Sequence, residues 1–347
     1  MAAHSAFEIG GHSVAPGTRR TVDLPVSVLS NHTPITMSVH VIHGKRPGPT
    51  LFVSSAIHGD EVMGVEVVRR LLRTPNLDAL KGTLLAVPIV NAFGFLHHSR
   101  YLPDRRDLNR TFPGSAVGSL AARLAHQFMT EIVARSDVGI DLHSAAIHRT
   151  NLPQIRVSPR KPDTMLLAEA FGAPIVMTSK IRDGSLRQAA QAHNVDILLF
   201  EAGEGLRFDE LGVRTGVMGI LRVMRQLGMV TAKGVAKPHI APMRSSSSYW
   251  LRAPAGGLLR TLKTIGAHVE IGDVLGLVSD PFGDVETEIV AEETGLIVGR
   301  TNLPVVNEGD GLFHVARIRP RDDPAATIDL LAGQLEEDPL FDEDEII

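Results

Sequence analysis

Two side chains three positions apart, His58 and Glu61, stand in the stretch Val53–Leu72 where its character changes. The stretch opens as an apolar run suited to a strand and breaks at Gly59. From Asp60 it carries Val62, Val65, Val68 and Leu72 on one helical stripe. The exit of a strand into a helix is where open α/β sheets place their chemistry. An imidazole and a carboxylate there can close on one divalent cation, and Zn²⁺ accepts that N,O pair. The same spacing also describes a loop histidine beside a helix-initial glutamate that favours the macrodipole. His143, in VGIDLHSA, ends another apolar strand and is preceded by Asp141. Parallel strands deliver their C-terminal ends to one rim, so His58 and His143 can meet there. Two histidines and one glutamate, with a fourth position open, form the ligand set of a catalytic zinc. Asp141 is a candidate to hold a ligand in place. Taken alone, His143 reads better as a buried strand-end imidazole bonded to backbone.

Glu201, in DILLFEAGEG, also leaves an apolar strand at its C-terminal end. Beside a zinc-activated water such a carboxylate can act as general base and then as general acid. Glu204, three residues on, competes for that role, and both also fit ordinary loop charges. The stretch HHSRYLPDRRDLNRTFPG carries Arg100, Arg105, Arg106 and Arg110, offset by Asp104 and Asp107. Guanidinium groups bind carboxylates bidentately or stabilise a developing oxyanion. For Arg105 and Arg106 a solvated loop is the better reading. The chain has 15 histidines, so most must be bland, and His97 and His98 are left out of the ligand set. Met63 and Met218 read as core.

The elements that must position these groups alternate. Residues 1–36 are punctuated by Gly, Pro and Ser and suit an edge strand or hairpin. Met37–Gly44 reads as a strand, KRPGP as a turn, and TLFVSSA as a buried strand. Further strands are expected at Gly82–Val90, Val138–Leu142, Ile155–Ser158, Ala173–Thr178 and Asp196–Phe200. Helices are expected at Ser119–Ala134, Pro162–Phe171, Ser185–His193 and Asp209–Leu227, and Ala92–Gly118 is a long irregular stretch of the kind that usually has a function. Near-continuous apolar strands alternating with helices imply an α/β fold with a mixed, mostly parallel sheet and helices on both faces. The texture changes after Gly228. Residues 231–248 read as a linker, 249–320 as a small all-β domain of short strands, and 321–347 as an acidic, mobile tail, leaving 1–230 as the catalytic unit.

Composition narrows the function. The 347 residues are 44% hydrophobic and 21% charged, enough for a large core and two domains or one with an appendage. A net charge of −4 and a pI near 6.4 speak against nucleic acid as partner. With no cysteine, thiolate metal sites, disulfides and Cys nucleophiles are excluded. The N-terminus lacks a secretory pattern and no apolar run reaches the length of a membrane span, so a soluble cytoplasmic protein is expected.

Four motifs occur in order: HGDE (His58–Glu61), SRY…DLNRTFPG (Ser99–Gly114), DLHS (Asp141–Ser144) and FEAG (Phe200–Gly203). The set resembles the succinylglutamate desuccinylase/aspartoacylase family, relatives of the zinc carboxypeptidases. The resemblance implies a zinc carboxypeptidase-like fold and one zinc ion per chain. It assigns His58, Glu61 and His143 as zinc ligands and Glu201 as the base that activates water. Arg100 matches the arginine that polarises the scissile carbonyl, and Asn109 and Arg110 the pair that grips the substrate carboxylate. It implies hydrolysis of a small anionic N-acyl amino acid and makes a homo-oligomer a reasonable expectation. Succinylglutamate, acetylaspartate and acetylated diaminobutyrate are not ranked by it. The loop Tyr101–Asp107 is slightly longer than expected for an aspartoacylase, which bears on substrate identity. A carboxypeptidase acting on small peptides and a non-catalytic metal-binding module are the alternatives.

The C-terminal stretch GAHVEIGDVLGLVSDPFGDVETEIVAEETGLIVG resembles a lipoyl/biotinyl-type barrel-sandwich domain. Its carrier position is matched to Glu286–Val290, which has no lysine, so no swinging arm is expected. Capping the pocket or mediating oligomerisation are the roles left for it.

Overall fold

The computed structural model describes residues 4–336, apart from 160, 240, 320 and 321. In chain order the first part comprises β1 (Phe7–Ile9), β2 (His12–Val14), β3 (Thr18–Val28), β4 (Pro34–His43), β5 (Arg46–Ser55), α1 (Met63–Leu71), β6 (Lys81–Val87), α2 (Ala92–Leu96), α3 (Leu120–Glu131) and β7 (Val138–His143). Then come β8 (Arg149–Val157), α4 (Pro162–Phe171), β9 (Ile175–Thr178), α5 (Leu186–Ala190), β10 (Asp196–Gly203) and α6 (Glu210–Gln226). The C-terminal part holds β11 (Met243–Ser245), β12 (Ser248–Arg252), β13 (Gly257–Thr261), β14 (His268–Val269), β15 (Val274–Ser279), β16 (Glu286–Val290), β17 (Gly295–Thr301), β18 (Val305–Val306), β19 (Gly311–Ala316) and α7 (Pro324–Glu336).

The expected mixed α/β architecture is present. One 13-stranded sheet runs β12-β19-β17-β8-β10-β7-β5-β6-β4-β3, with β9, β11 and β14 branching from it. Its centre, β6-β5-β7-β10, is parallel, as are β8-β9-β11. The flanks β3-β4-β6 and β10-β8-β17-β19-β12 are antiparallel. The central strands are apolar on both faces because both faces are covered. In β5, Leu51 and Val53 pack on α1, α4 and α6, while Phe52 packs on the other side with α3 and α5. Phe52 meets Phe128 of α3 edge to face at 5.7 Å, an arrangement worth ~0.5–1.5 kcal/mol beyond the area it buries.

Several boundaries differ from the periodicity. KRPGP is not a free turn: β5 begins at Arg46 and runs through it with a bulge. Helix α1 begins at Met63, not Asp60, because a turn closed by the Glu61 N–H and the His58 carbonyl at 3.1 Å precedes it. Strand β8 is longer than Ile155–Ser158, its first third being the polar run Arg149–Asn151. The stretch after Ala92 contains α2 and a single 3₁₀ turn at Leu108–Arg110.

The C-terminal region departs most from expectation. Its antiparallel strands form no closed barrel. Strands β12, β19 and β17 continue the main sheet, and β16-β15-β13-β18 form a second sheet packed over them. The matched carrier segment lies inside β16, with Ile289 buried in that core, rather than at a hairpin tip. The tip is residues 280–285, where the Asp280 carboxylate accepts from three backbone N–H groups, and it too lacks lysine. Within the expected linker, Met243–Ser245 pairs with β9. Within the expected tail, Pro324–Glu336 forms α7, with Leu331 and Leu335 in the main core against α6. The rest of that tail, 337–347, lies outside the described residues. Among the described residues no helix is long and apolar enough to cross a membrane.

Candidate metal centre and pocket

Strands β5, β7 and β10 end at one rim, and the three side chains sought there arrive together. His58, Glu61 and His143 are buried and each offers a ligand atom within 4.8 Å of the others. His58 Nδ1 lies 2.7 Å from Glu61 Oε1, and His143 Nδ1 lies 2.6 Å from Glu61 Oε2. Local sequence makes this possible. Gly59 lies so close to α2 that a Cβ would sit 1.9 Å from the Gly94 carbonyl carbon, so the HGDE turn tucks under that helix only with glycine there.

The outer nitrogens are held as well. His143 Nε2 donates to Asp141 at 2.8 Å, in keeping with the role expected for Asp141. His58 Nε2 donates to Asp107 at 3.2 Å, a partner not anticipated. Each imidazole thus sits between two carboxylates. Burial opposes protonation of His143, but Asp141 and Glu61 outweigh it and raise its pKa well above the ordinary value. Burial is likewise overcome at His58 by Glu61 and Asp107. For Glu61, burial alone would raise the pKa, yet the flanking imidazoles hold it far below the usual carboxylate range. Asp107 is depressed in the same way by His58 and Arg100 against its burial.

This donor set fits a divalent cation. The two Nδ1 atoms and the Glu61 carboxylate converge, and a dication among them would replace two Nδ1 protons with no change in net charge. The outer Nε2–H groups would keep their bonds to Asp107 and Asp141, the arrangement that orients metal-ligating imidazoles. Arg100 stands beside the cluster, 3.4 Å from Glu61 and 3.0 Å from Asp107.

A cavity of about 280 Å³ opens over the cluster, and Glu201, Arg100, Asn109 and Arg110 all line it. Glu201 accepts from Asn151 Nδ2 and lies 3.5 Å from Arg156. Asn151 is set by the β8–β17 ladder, opposite Gly299, where a Cβ would come within 2.6 Å of Asn151 Oδ1. Glu204 does not line the cavity. It accepts from the His148 N–H and Asn302 Nδ2 and ties two loops together. Asn109 Oδ1 accepts from the Leu186 N–H at 2.9 Å, and Arg110 donates to the Asn109 carbonyl, so both are anchored at the wall. Arg105, Arg106, His97 and His98 stay outside the cavity. Met63 and Met218 are buried core.

Sequence reasoning missed Asp107, Asn151, Arg156 and Arg187. Asp107 had a usable signal, lying two residues before Asn109 in the same motif. Arg187 lies on α5, and its guanidinium donates to Ser179. The other two depend on antiparallel pairing that no local pattern displays.

Fold and site together define a mixed α/β protein with a His–Glu–His cluster at the rim of its parallel strands. Residues 47–227 match the family model of the succinylglutamate desuccinylase/aspartoacylase catalytic domain, and the chain belongs to that family. Its members are deacylating hydrolases acting on N-acyl amino acids. The chain is 26% identical over 283 residues to the N-alpha-acetyl-L-2,4-diaminobutyric acid deacetylase of Halomonas elongata, covering 78% of this chain and 83% of that one. In fold it resembles a succinylglutamate desuccinylase/aspartoacylase from Rhodobacter sphaeroides (TM-score 0.77, 23% identity, 87% of this chain and 96% of that one). It also resembles the product-bound ectoine utilization protein EutE (DoeB) of Ruegeria pomeroyi (TM-score 0.77, 22% identity, 86% and 94%).

Proposed function

We propose that this chain is a cytoplasmic deacylase that hydrolyses the amide bond of small N-acyl amino acids, with one zinc ion held by His58, Glu61 and His143. The observation that carries the reading is the convergence of both Nδ1 atoms on Glu61, in a cavity that Glu201 also lines. Residues 1–230 carry the chemistry, and 249–320 complete the pocket.

The ion, when bound, supplies Lewis-acid polarisation and a water whose pKa is brought down to about 7. Glu201 takes the proton of the attacking water and passes it to the departing nitrogen as the carbon–nitrogen bond breaks, giving a carboxylic acid and a free amine. Asn151 and Arg156 hold its carboxylate in place for both transfers. Arg100 faces the scissile carbonyl and stabilises the oxyanion that develops there. Asn109 and Arg110 bind the substrate's carboxylate at the anchored wall.

The test is a screen of N-acetyl and N-succinyl amino acids against short peptides, using zinc-loaded protein with a chelator-treated control. Turnover of N-acyl amino acids that is lost on chelation and restored by zinc supports the reading. Turnover of peptides alone would make the chain a carboxypeptidase, and metal binding with no turnover would make it a binding module.

A further inference from the structure

The buried half of strand β5, Leu51–Ser55, is apolar until its last two residues. Ser54 and Ser55 are neighbours in the chain and both are fully buried. A hydroxyl taken out of water needs a hydrogen-bond partner, and leaving it unpaired costs free energy. The two serines meet that demand differently. Ser54 Oγ donates to Asp141 Oδ1 at 2.8 Å. Ser55 Oγ has no hydrogen-bond partner among the described residues and lies against Gly64 of α1, where a Cβ would come within 2.3 Å of it.

Register brings Ser54 to Asp141. In the parallel β5–β7 ladder the two are direct partners, so their side chains leave the sheet on the same face. His143 is two positions further along β7 and shares that face. One level back, Phe52 stands opposite Gly139, where a Cβ would meet the ring at 2.2 Å, so β7 offers no side chain there. Within two residues this face changes from aromatic core to a polar chain of Ser54 hydroxyl, Asp141 carboxylate and His143 imidazole.

Asp141 depends on that hydroxyl. It is 1% exposed, and its two donors among the described residues are Ser54 to Oδ1 and His143 Nε2 to Oδ2 at 2.8 Å. Its counterpart behind His58 is held by more. Asp107 accepts from the Asn109 N–H, from two nitrogens of Arg100 and from His58. The two oxygens of a carboxylate turn together, so fixing one fixes the other. Without the hydroxyl, Oδ1 would be a buried acceptor with nothing to bind. The carboxylate could then turn from His143 towards the Arg187 guanidinium, which lines the same cavity.

We propose that Ser54 is a positioning residue of the metal centre. Its hydroxyl locks the Asp141 carboxylate with Oδ2 on His143 Nε2, and so keeps His143 Nδ1 aimed at the point where Glu61 and His58 converge. The inference rests on the reading of His58, Glu61 and His143 as ligands and needs no assumption about the substrate. Ser55 supplies the control: a serine of the same strand, equally buried, whose hydroxyl holds nothing.

The experiment compares the full-length wild type, S54A, S54C and S55A in two measurements that need no turnover. Zinc affinity is taken by competition with a chromophoric chelator. The visible absorption of the cobalt-substituted protein reports the geometry of the ligands. S54A should weaken zinc about tenfold, the low end for loss of an outer partner, and shift the cobalt bands. S54C keeps a donor of similar size but weaker, and should fall between S54A and the wild type. S55A should match the wild type in both measurements. Cobalt spectra and zinc affinities of S54A and S54C that coincide with those of S55A would overturn the role of Ser54. An S55A loss as large as that of S54A would overturn it too, by tracing the effect to packing at the end of β5. If S54A does not fold, S54C against S55A decides by the same outcomes. Wild-type protein that takes up neither ion would instead sink the metal reading, whatever the serines do.

Discussion

The parallel strands β5, β7 and β10 and the antiparallel strands β8, β12 and β17 supply the same cavity, but in opposite manner. On the parallel side the charged groups of the cluster are paired with one another. Glu61 lies between two imidazoles, and each imidazole lies between two carboxylates. On the antiparallel side cations outnumber their partners, and order comes from stacking and ladder position instead. A saturated network fixes atoms for one chemical event. Glu201 stands at the boundary between the two sides, on a parallel strand but gripped by two residues of β8.

The sharpest break of this contrast is E201Q. Loss of the proton carrier should lower kcat by roughly 10²–10⁴-fold, while bound zinc, measured by metal analysis, stays at the wild-type level. A variant with unchanged turnover would move the base elsewhere and dissolve the boundary. Next comes D107N, which weakens the acceptor behind His58 without replacing a proposed ligand. It should cost about 10–100-fold in zinc affinity or turnover, read by competition with a chromophoric chelator. The same titration run against pH sharpens the parallel side further. Both imidazole pKa values are raised, so protons compete with the ion below those values; zinc affinity should climb as pH rises and fall as it drops. A flat profile would mean that the imidazoles give up no protons to the ion.

The smallest effect belongs to the antiparallel side. His314, beneath Trp250, has its pKa lowered to about 3 by burial and by Arg156. The unfolded chain therefore takes up a proton near pH 6.5 that the folded chain refuses. Stability is full above that value and declines as pH falls towards 3. Between pH 6.5 and 5.5 the decline should be about 1 kcal/mol. H314Q should flatten that part of the curve in urea titrations at stepped pH. A slope equal to the wild type's would show that the imidazole beneath Trp250 is not buried neutral.

How much of this was legible from the chain depended on where the information was stored. HGDE and DLHS sit at ends of apolar parallel strands, and such strands announce both themselves and their shared rim. The fold centre and the metal cluster followed from that. The Asp107–His58 bond spans 49 positions and belongs to a loop with no period, so residue types alone could not show it. Arg149–Asn151 carries no strand signal because a strand that faces a cavity on one side need not be apolar. Helix α7 was hidden by the acidic residues after it, although Leu331 and Leu335 bury as core leucines do. The lipoyl-like reading failed to anticipate that five of the C-terminal strands, β11, β12, β14, β17 and β19, would be annexed by the main sheet. Local alternation reports that a strand exists, never which neighbour it will choose.

That annexation limits how the protein can be cut. Gln154 on β8 donates to the Val298 carbonyl of β17, and residues 149–151 hydrogen-bond the same strand. Shortening the gene at position 230 would bare this edge, strand a buried amide and invite intermolecular pairing, so the product should aggregate rather than fold as a minimal enzyme. A protease nick between 231 and 242 would do far less, leaving two fragments that co-migrate until denatured.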